Sequence, residues 1–433
     1  MKYQQGIDEQ HTMAKLPPAR RHWIAAALLS IVVALVLLPT ASAARMSPGA
    51  AEDFDAAWRF IRDRYCFFPD GPEHWRRARE ALRRRAAGAS TVADRIRVLE
   101  TLLDQLADPH SHLRTNLASS HRLVPHDVWG TRTLRGLRIE AVRSGGAAQA
   151  AGVRPGDLVL GINGRPALDV ADDVRPKHSP MPDSIVDQWS TLVALAGTHD
   201  TPRVWRVRSG ETVRTIEVDA EDRAGAPDHE PLVSTAVPTP GVGLIRIATF
   251  DDHAAVARFD AALDGFMDKR AVIIDVRGNR GGDTAIARPI MGRFVRHRAA
   301  YATMRRRDGD GLSEPWTEYV QPRGDRYAGR VVILVDRFSA SMAEGFAMGM
   351  RTIADATLVG TRMAGLGAAV ETKTLPDSGI TIQTSTEPVY TVDGKPRWKI
   401  EPDVPVSVTA LRTGAEEGRD AILEAGLREA RRR

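Results

Sequence analysis

Between Val242 and Val359 the apolar positions switch repeatedly between two spacings. Short apolar runs at Val242 to Ile247, Ala271 to Val276, Val331 to Val335 and Thr357 to Val359 have strand length and β-branching. Between them, residues 253–267, 283–296 and 341–353 carry helical spacing. This alternation predicts an α/β core, placed here over 230–412. Upstream, Phe54, Trp58, Ile61 and Tyr65 recur at helical intervals, as do Ile96, Leu99, Leu102, Leu103 and Leu106, so a helical N-terminal domain is expected over 50–120. Residues 125–220 predict a small β-rich domain. Segment 223–240, rich in Pro, Ala and Asp, reads as a linker or loop, and 413–433 as a charged C-terminal helix.

Two segments of the core carry candidate chemistry. In the first, the buried run Val331 to Val335 leads through a short polar turn to Ser341 and an apolar helical pattern, Met342, Phe346 and Met350. A serine at that junction sits at a helix N-terminus. Free backbone N–H groups and the positive end of the dipole gather there and would stabilise a developing oxyanion. Ser341 and Glu344 also fit an S-x-x-E capping box, which needs no chemistry. The second segment is the glycine-rich loop Asp275 to Gly282, directly after a buried strand. It lacks the spacing of a nucleotide-binding loop. Its glycine pair, Gly281-Gly282, lets a peptide backbone approach and can donate N–H groups to a carbonyl.

Composition narrows the setting. Lys15, Arg20 and Arg21 precede an apolar stretch from Trp23 to Leu38, then Pro39 and Ala41-Ser42-Ala43. That pattern predicts a secretory signal over 1–43 and an exported, periplasmic protein. A retained anchor through residues 23–38, facing the periplasm or outside, is the alternative, and Met13 is a second candidate start. The net charge is +5, with four Lys/Arg and two Asp/Glu inside the leader, which leaves too weak an excess to argue for nucleic acid. Cys66 is the only cysteine, so an intrachain disulfide and a cysteine-based metal site are excluded. No metal or cofactor is expected.

Residues 136–167 carry Gly136-Leu137, a short helical stretch Ala147 to Ala151, Gly152-Val153-Arg154-Pro155-Gly156-Asp157, a strand Leu158 to Ile162 and Asn163-Gly164. This segment resembles a PDZ domain, which binds extended peptide ends by adding a strand to a sheet edge. The resemblance implies carboxylate-binding N–H groups at Gly136 and Leu137, with Arg138 and Ile139 continuing the augmenting edge.

Signal, helical segment, PDZ-like segment, strand-R-G-N-x-G-G and strand-x-S-A-S-x-x-E-helix follow in that order. Leu106-Ala107-Asp108-Pro109-His110-Ser111, the strand Gly243 to Phe250 and Glu401-Pro402-Asp403-Val404 add to it. Together they resemble the C-terminal processing (tail-specific) serine peptidases over residues 52–410. The resemblance implies an α/β fold: a ClpP/crotonase-like β-β-α core with an inserted PDZ-like domain and a helical N-terminal segment. It implies Ser341 as nucleophile, with an oxyanion hole from Gly281, Gly282 and Met342.

The chain departs from that family at the base. Leu366 stands where the best-known branch has its lysine and Val370 where it has its glutamine. Leucine accepts no proton, so a Ser-Lys dyad is excluded there. A tricorn-like branch uses a histidine instead, which makes His110 the candidate base and His112 the second. The orienting acid has no clear match: Pro396 falls near its place, with Glu387, Asp393 and Glu401 close by, and Lys373 is a displaced alternative base. The expected function is an exported serine endopeptidase acting on proteins or peptides with extended C-termini. The alternative is a catalytically inactive PDZ-containing peptide-binding protein of the same fold. A crotonase-like acyl-CoA enzyme is disfavoured by the PDZ-like segment and the leader.

Overall fold

The computed structural model describes residues 48–69, 71–219 and 231–432. The leader 1–43, its cleavage site and the 23–38 stretch lie outside the described residues, as does 220–230.

The predicted strands lie in one six-stranded sheet. Its order is Val404–Pro405, Thr357–Gly360, Arg330–Val335, Ala271–Asp275, Val242–Ile247 and Val233–Thr239. All neighbours are parallel except the last pair. The central strands are apolar throughout because both faces are covered. Val331, Ile333 and Val335 point with Val272 and Ile274 into a core shared with the helices Ala254–Asp264, Thr284–Met291 and Met342–Ala354. The alternate residues Val332, Leu334, Ala271 and Ile273 pack on the other face against Ile422 and Ala425 of the helix Ala421–Arg431. Gly426 of that helix has no room for a side chain: a β-carbon there would stand 2.5 Å from Leu334 Cδ2.

The segment read as a linker is in part a strand. Val233–Thr239 pairs antiparallel with Val242–Ile247, with a register shift between Ala236 and Thr239. Pro238 obscured it in the sequence, but an edge strand tolerates a proline beside an irregularity. The charged C-terminal helix is two helices, Val408–Glu416 and Ala421–Arg431, separated around Gly418, whose φ is 65°.

A second sheet, unread in the sequence, pairs the long strand Thr381–Tyr390 with Ala368–Thr374, Ala299–Met304 and the short His112–Leu113. The N-terminal helices Pro48–Arg64, Trp75–Ala87 and Val92–Asp104 bury Phe54, Trp58, Ile61, Leu99 and Leu102 together, and Ile382 of the long strand joins them with Ile380 just before it. The pairing of His112 with Gln383 places the histidine turn on this sheet.

The PDZ-like sheet runs Val128–Thr133, Gly136–Val142, Leu158–Ile162, Val204–Ser209 and Thr212–Glu217. The helix Asp183–Ala196 lies along its first strand and went unread inside a segment expected to be β-rich.

Candidate active site

The loops after two adjacent parallel strands are stitched together. Asp336 Oδ1 accepts from the N–H groups of Phe338 (2.9 Å), Ser339 (2.9 Å) and, across the gap, Gly278 (3.0 Å). Ser339 Oγ donates to Val276 O at 2.8 Å, and Ala340 N donates to Asn279 O at 2.9 Å. This lattice forces Ser341 into a sharp turn with φ 52° and ψ −116°. Such a backbone costs a non-glycine residue about 1–3 kcal/mol and persists only where its surroundings over-determine it. Ser341 is the N-cap of the helix Met342–Ala354, yet its hydroxyl makes no capping bond. Its carbonyl takes that load, accepting from Glu344 N and Gly345 N at 3.1 Å. The side-chain half of the capping box is therefore absent, and the hydroxyl is uncommitted on a strained strand-to-helix turn.

The glycine pair lies against this turn. Gly281 has φ 100°, and a β-carbon on it would stand 2.7 Å from Met342 N and 2.8 Å from Ser341 Cβ. Its own N–H donates to Asn279 Oδ1 at 2.8 Å, so Gly281 supplies close approach rather than an oxyanion donor. Asn279 is buried, and its Nδ2 donates to Ile247 O at 3.1 Å. The N–H groups of Gly282 and Met342 have no acceptor among the described residues. They are the two donors this geometry leaves free, at the positive end of a 13-residue helix.

The two histidines separate. Both ring nitrogens of His112 are engaged: Nδ1 with Leu113 O at 2.9 Å, and Nε2 with the Gln383 amide nitrogen at 3.1 Å. Gln383 also donates to His110 O and accepts from Arg114, which fixes its orientation. His112 is thus held as a neutral structural group, not a free base. His110 sits in a turn built on half-buried Asp108, which accepts from His110 N (3.0 Å), Ser111 Oγ (2.7 Å) and Ser385 Oγ (2.8 Å). Ala107, next to that turn, packs in one apolar cluster with Phe338, Ala340 and Leu366. The histidine turn and the serine turn therefore share a core. His110 Nδ1 is buried without a partner. Burial, then the Arg397 charge, then His112 depress the His110 pKa to about 3. No hydrogen bond joins Ser341 to either histidine among the described residues.

The carboxylates weighed in the sequence have other work. Asp393 pairs with Lys395 at 3.0 Å and Glu401 with Arg362 at 3.0 Å, both on the surface, while Glu387 faces Arg306 at 3.8 Å. Lys373 is exposed on the strand Ala368–Thr374. The buried acid of the site is Glu344, read in the sequence only as a cap. Burial drives its pKa up to about 7 against the opposing pull of Arg397 and of the N–H groups of Gly365, Leu366 and Ser341. Arg397 is buried beside it at 3.6 Å. No pattern in Gly394-Lys395-Pro396-Arg397-Trp398 announces a buried guanidinium. Leu366 lies in the apolar cluster, as its chemistry demands.

The peptide edge is also relocated. Gly136–Val142 is an interior strand, bonded to Val128–Thr133 on one side and at Leu137 and Arg138 to Leu158–Ile162 on the other. Ile139 N and O are likewise taken by Asp157 and Gly156. Gly136, Leu137, Arg138 and Ile139 therefore present no open edge. The sheet's edge is Val128–Thr133. Between it and the helix Asp183–Ala196 lies a cavity of about 480 Å³, lined by Thr131, Arg132, Leu134, Ser184, Asp187 and Gln188. Gln188 Nε2 donates to Gly130 O at 2.9 Å across this groove. Glu140 pairs with Arg337 at 3.0 Å and Arg143 donates to Gly278 O at 3.2 Å, so the PDZ-like domain touches both the glycine-rich loop and the loop that leads to Ser341.

An α/β core with a strained serine turn, a glycine-pair loop and an inserted PDZ-like module defines a class, and comparison with known proteins agrees. The sequence matches peptidase family S41 over residues 241–406, a PDZ domain over 138–175 and a tricorn protease C1 domain over 50–104. The chain therefore carries a peptidase S41 domain, a PDZ domain and a tricorn C1 domain. It is similar to the chloroplastic carboxyl-terminal-processing peptidase 1 of Arabidopsis thaliana, 25% identical over 335 residues. That alignment covers 72% of this chain and 62% of the relative, so the chain spans less than two thirds of that protein. Two solved structures share the fold. The photosystem II D1 C-terminal processing protease has a TM-score of 0.54 and 19% identity, over 88% of this chain and 97% of the other. Mature CPAF complexed with lactacystin has a TM-score of 0.60 and 15% identity, over 88% and 98%.

Proposed function

We propose that this chain is an exported serine endopeptidase that captures extended protein tails in its PDZ groove and cleaves them through an acyl-enzyme on Ser341. One observation carries the reading: an uncommitted serine hydroxyl on a positive-φ turn, packed against Gly281 and flanked by the free N–H groups of Gly282 and Met342. Ser341 Oγ attacks the scissile carbonyl carbon, and its proton passes to the base. The carbonyl oxygen takes the negative charge and is held by the two N–H groups. The C–N bond breaks, the amine leaves with the proton, and water hydrolyses the ester to restore the hydroxyl.

The base in this reading is His110, the histidine whose ring is not already occupied. Burial, and after it the Arg397 charge, keeps it in the unprotonated form that accepts a proton. Its low basicity makes the resting site a weak one, because general-base catalysis is best with a pKa near the working pH. Export is supported by the basic-apolar-small pattern of residues 15–43. Among the described residues no helix is long and apolar enough to cross a membrane. Cleavage of an unstructured test polypeptide by the full chain, absent in Ser341→Ala, tests the activity.

A second reading has its own observation. Leu366 fills the lysine position and His110 makes no bond to Ser341, as expected of an inactive peptide-binding protein. Tail binding without turnover would establish that reading.

A further inference from the structure

Among the described residues, three buried polar atoms near the serine turn have no hydrogen-bond partner: His110 Nδ1, Glu344 Oε2 and Arg397 Nε. Glu344 and Arg397 face each other at 3.6 Å and are 1% and 5% exposed. Each grips the same short segment from a different side. Glu344 Oε1 accepts from the N–H groups of Gly365 and Leu366. Arg397 Nη2 donates to Leu366 O and Ala368 O. Trp398, next in sequence, closes the third side, since a β-carbon on Gly367 would stand 2.3 Å from its ring. Glu344 is also one turn into the helix that Ser341 begins, and its N–H bonds to Ser341 O.

From this geometry we infer that Glu344 and Arg397 are a positioning pair that fixes segment 365–368 against the serine turn, and that Arg397 supplies the buried cation of a site whose lysine position holds leucine. The inference deepens the peptidase reading and rests on it for its kinetic consequences only. Neither residue forms or breaks a bond. A guanidinium suits the task because its Nη2 carries two N–H donors, one for each carbonyl, and the group stays charged when buried. An ionised carboxylate is the stronger acceptor for the two N–H groups, so the ordered site is the one with Glu344 deprotonated. Besides Arg397, the groups bearing on the pair are His110 from the 108–111 turn, Tyr301 from the second sheet and Cys66 after the first helix.

The test uses the full chain with Glu344→Gln, Glu344→Ala, Arg397→Gln and the double Glu344→Gln/Arg397→Gln. Amide exchange over 362–370 should accelerate at least tenfold in Glu344→Ala and Arg397→Gln, and remain near wild type in Glu344→Gln, whose amide oxygen still accepts. The double variant should regain Tm relative to Arg397→Gln, because removing one partner of a buried pair costs more than removing both. Labelling of Ser341 by a fluorophosphonate should rise with pH around 7 in the wild type and lose that rise in Glu344→Gln. Unchanged exchange in Glu344→Ala and Arg397→Gln would overturn the positioning role, and a wild-type rise that persists in Glu344→Gln would overturn the link to the serine. If the wild type takes no label at any pH, the peptidase reading fails instead, and the exchange and Tm arms decide the pair on their own.

Discussion

Gly281 lies so close to Ser341 that a β-carbon on the glycine would stand 2.8 Å from the serine's own. That contact joins the two loops through which the α/β core presents its chemistry. It also explains the glycine at 281, whose φ is 100°, while Gly282, at 133°, is required by the backbone of Phe250 instead. A β-carbon on Gly281 would meet Met342 N and Ala340 O, neither of which can swing aside. Gly281→Ala should therefore displace the serine turn and lower the rate of Ser341 labelling at least 10²-fold, the scale on which oxyanion geometry acts. A folded Gly281→Ala variant, checked by circular dichroism, that labels at the wild-type rate would remove the contact from the account.

The strain at Ser341 has its own signature. Its φ of 52° and ψ of −116° suit glycine and no other residue. Ser341→Gly and Ser341→Ala should both be inactive, with the glycine variant the more stable of the two in denaturant melts, by about 1 kcal/mol or more. Equal stabilities would mean that the turn stores no strain.

Two histidines should titrate in opposite directions, followed by NMR. His110, neutral and buried, should stay unprotonated down to about pH 3. Its unfolded form binds a proton near 6.5, so stability falls as pH drops below that value. His121, bonded to Asp104 at 3.1 Å, is raised to about 9. It contributes stability that is complete below pH 6.5 and lost as pH climbs through 9. His121→Gln should lower Tm at pH 6 and leave it nearly unchanged at pH 10. A His110 resonance titrating at 6–7 would contradict its burial beside Arg397.

Peptide capture should depend on the strand Val128–Thr133 rather than on 136–142. Gly130 turns its carbonyl outward to Gln188, and Arg132, two residues on, turns its backbone the same way. Arg132→Pro removes an outward N–H on an edge strand, where proline is tolerated. It should weaken binding of tail peptides at least tenfold by titration without unfolding the domain. Wild-type affinity in that variant would place the groove elsewhere.

The strands and helices of the core were legible because burial on both faces leaves continuous apolar runs such as Ala271–Asp275. Ser341 was legible because its chemistry is tied to a local strand-turn-helix pattern. The rest was set by distant partners. The strand Val233–Thr239 exists through pairing with Val242–Ile247 and carries an edge proline. The augmenting edge was misplaced because Gly136-Leu137 has the right residues for a turn, while sheet order decides which strand is outermost. The sequence ranks His112 only second to His110, and what removes it is a partner 271 residues away, Gln383, which occupies its Nε2. Glu344 and Arg397 came together from a helix and a turn, and only their shared grip on Leu366 shows what they do.

The central claim is that Ser341 is a nucleophile, and one measurement addresses it directly. The full chain is incubated with a fluorophosphonate, with and without an unstructured tail peptide, and digested for mass spectrometry. The account predicts a single adduct on the peptide that contains Ser341, faster with the tail peptide present and absent in Ser341→Ala. No adduct on Ser341 under either condition, across pH 6–9, would contradict it and leave a peptide-binding protein on a peptidase fold.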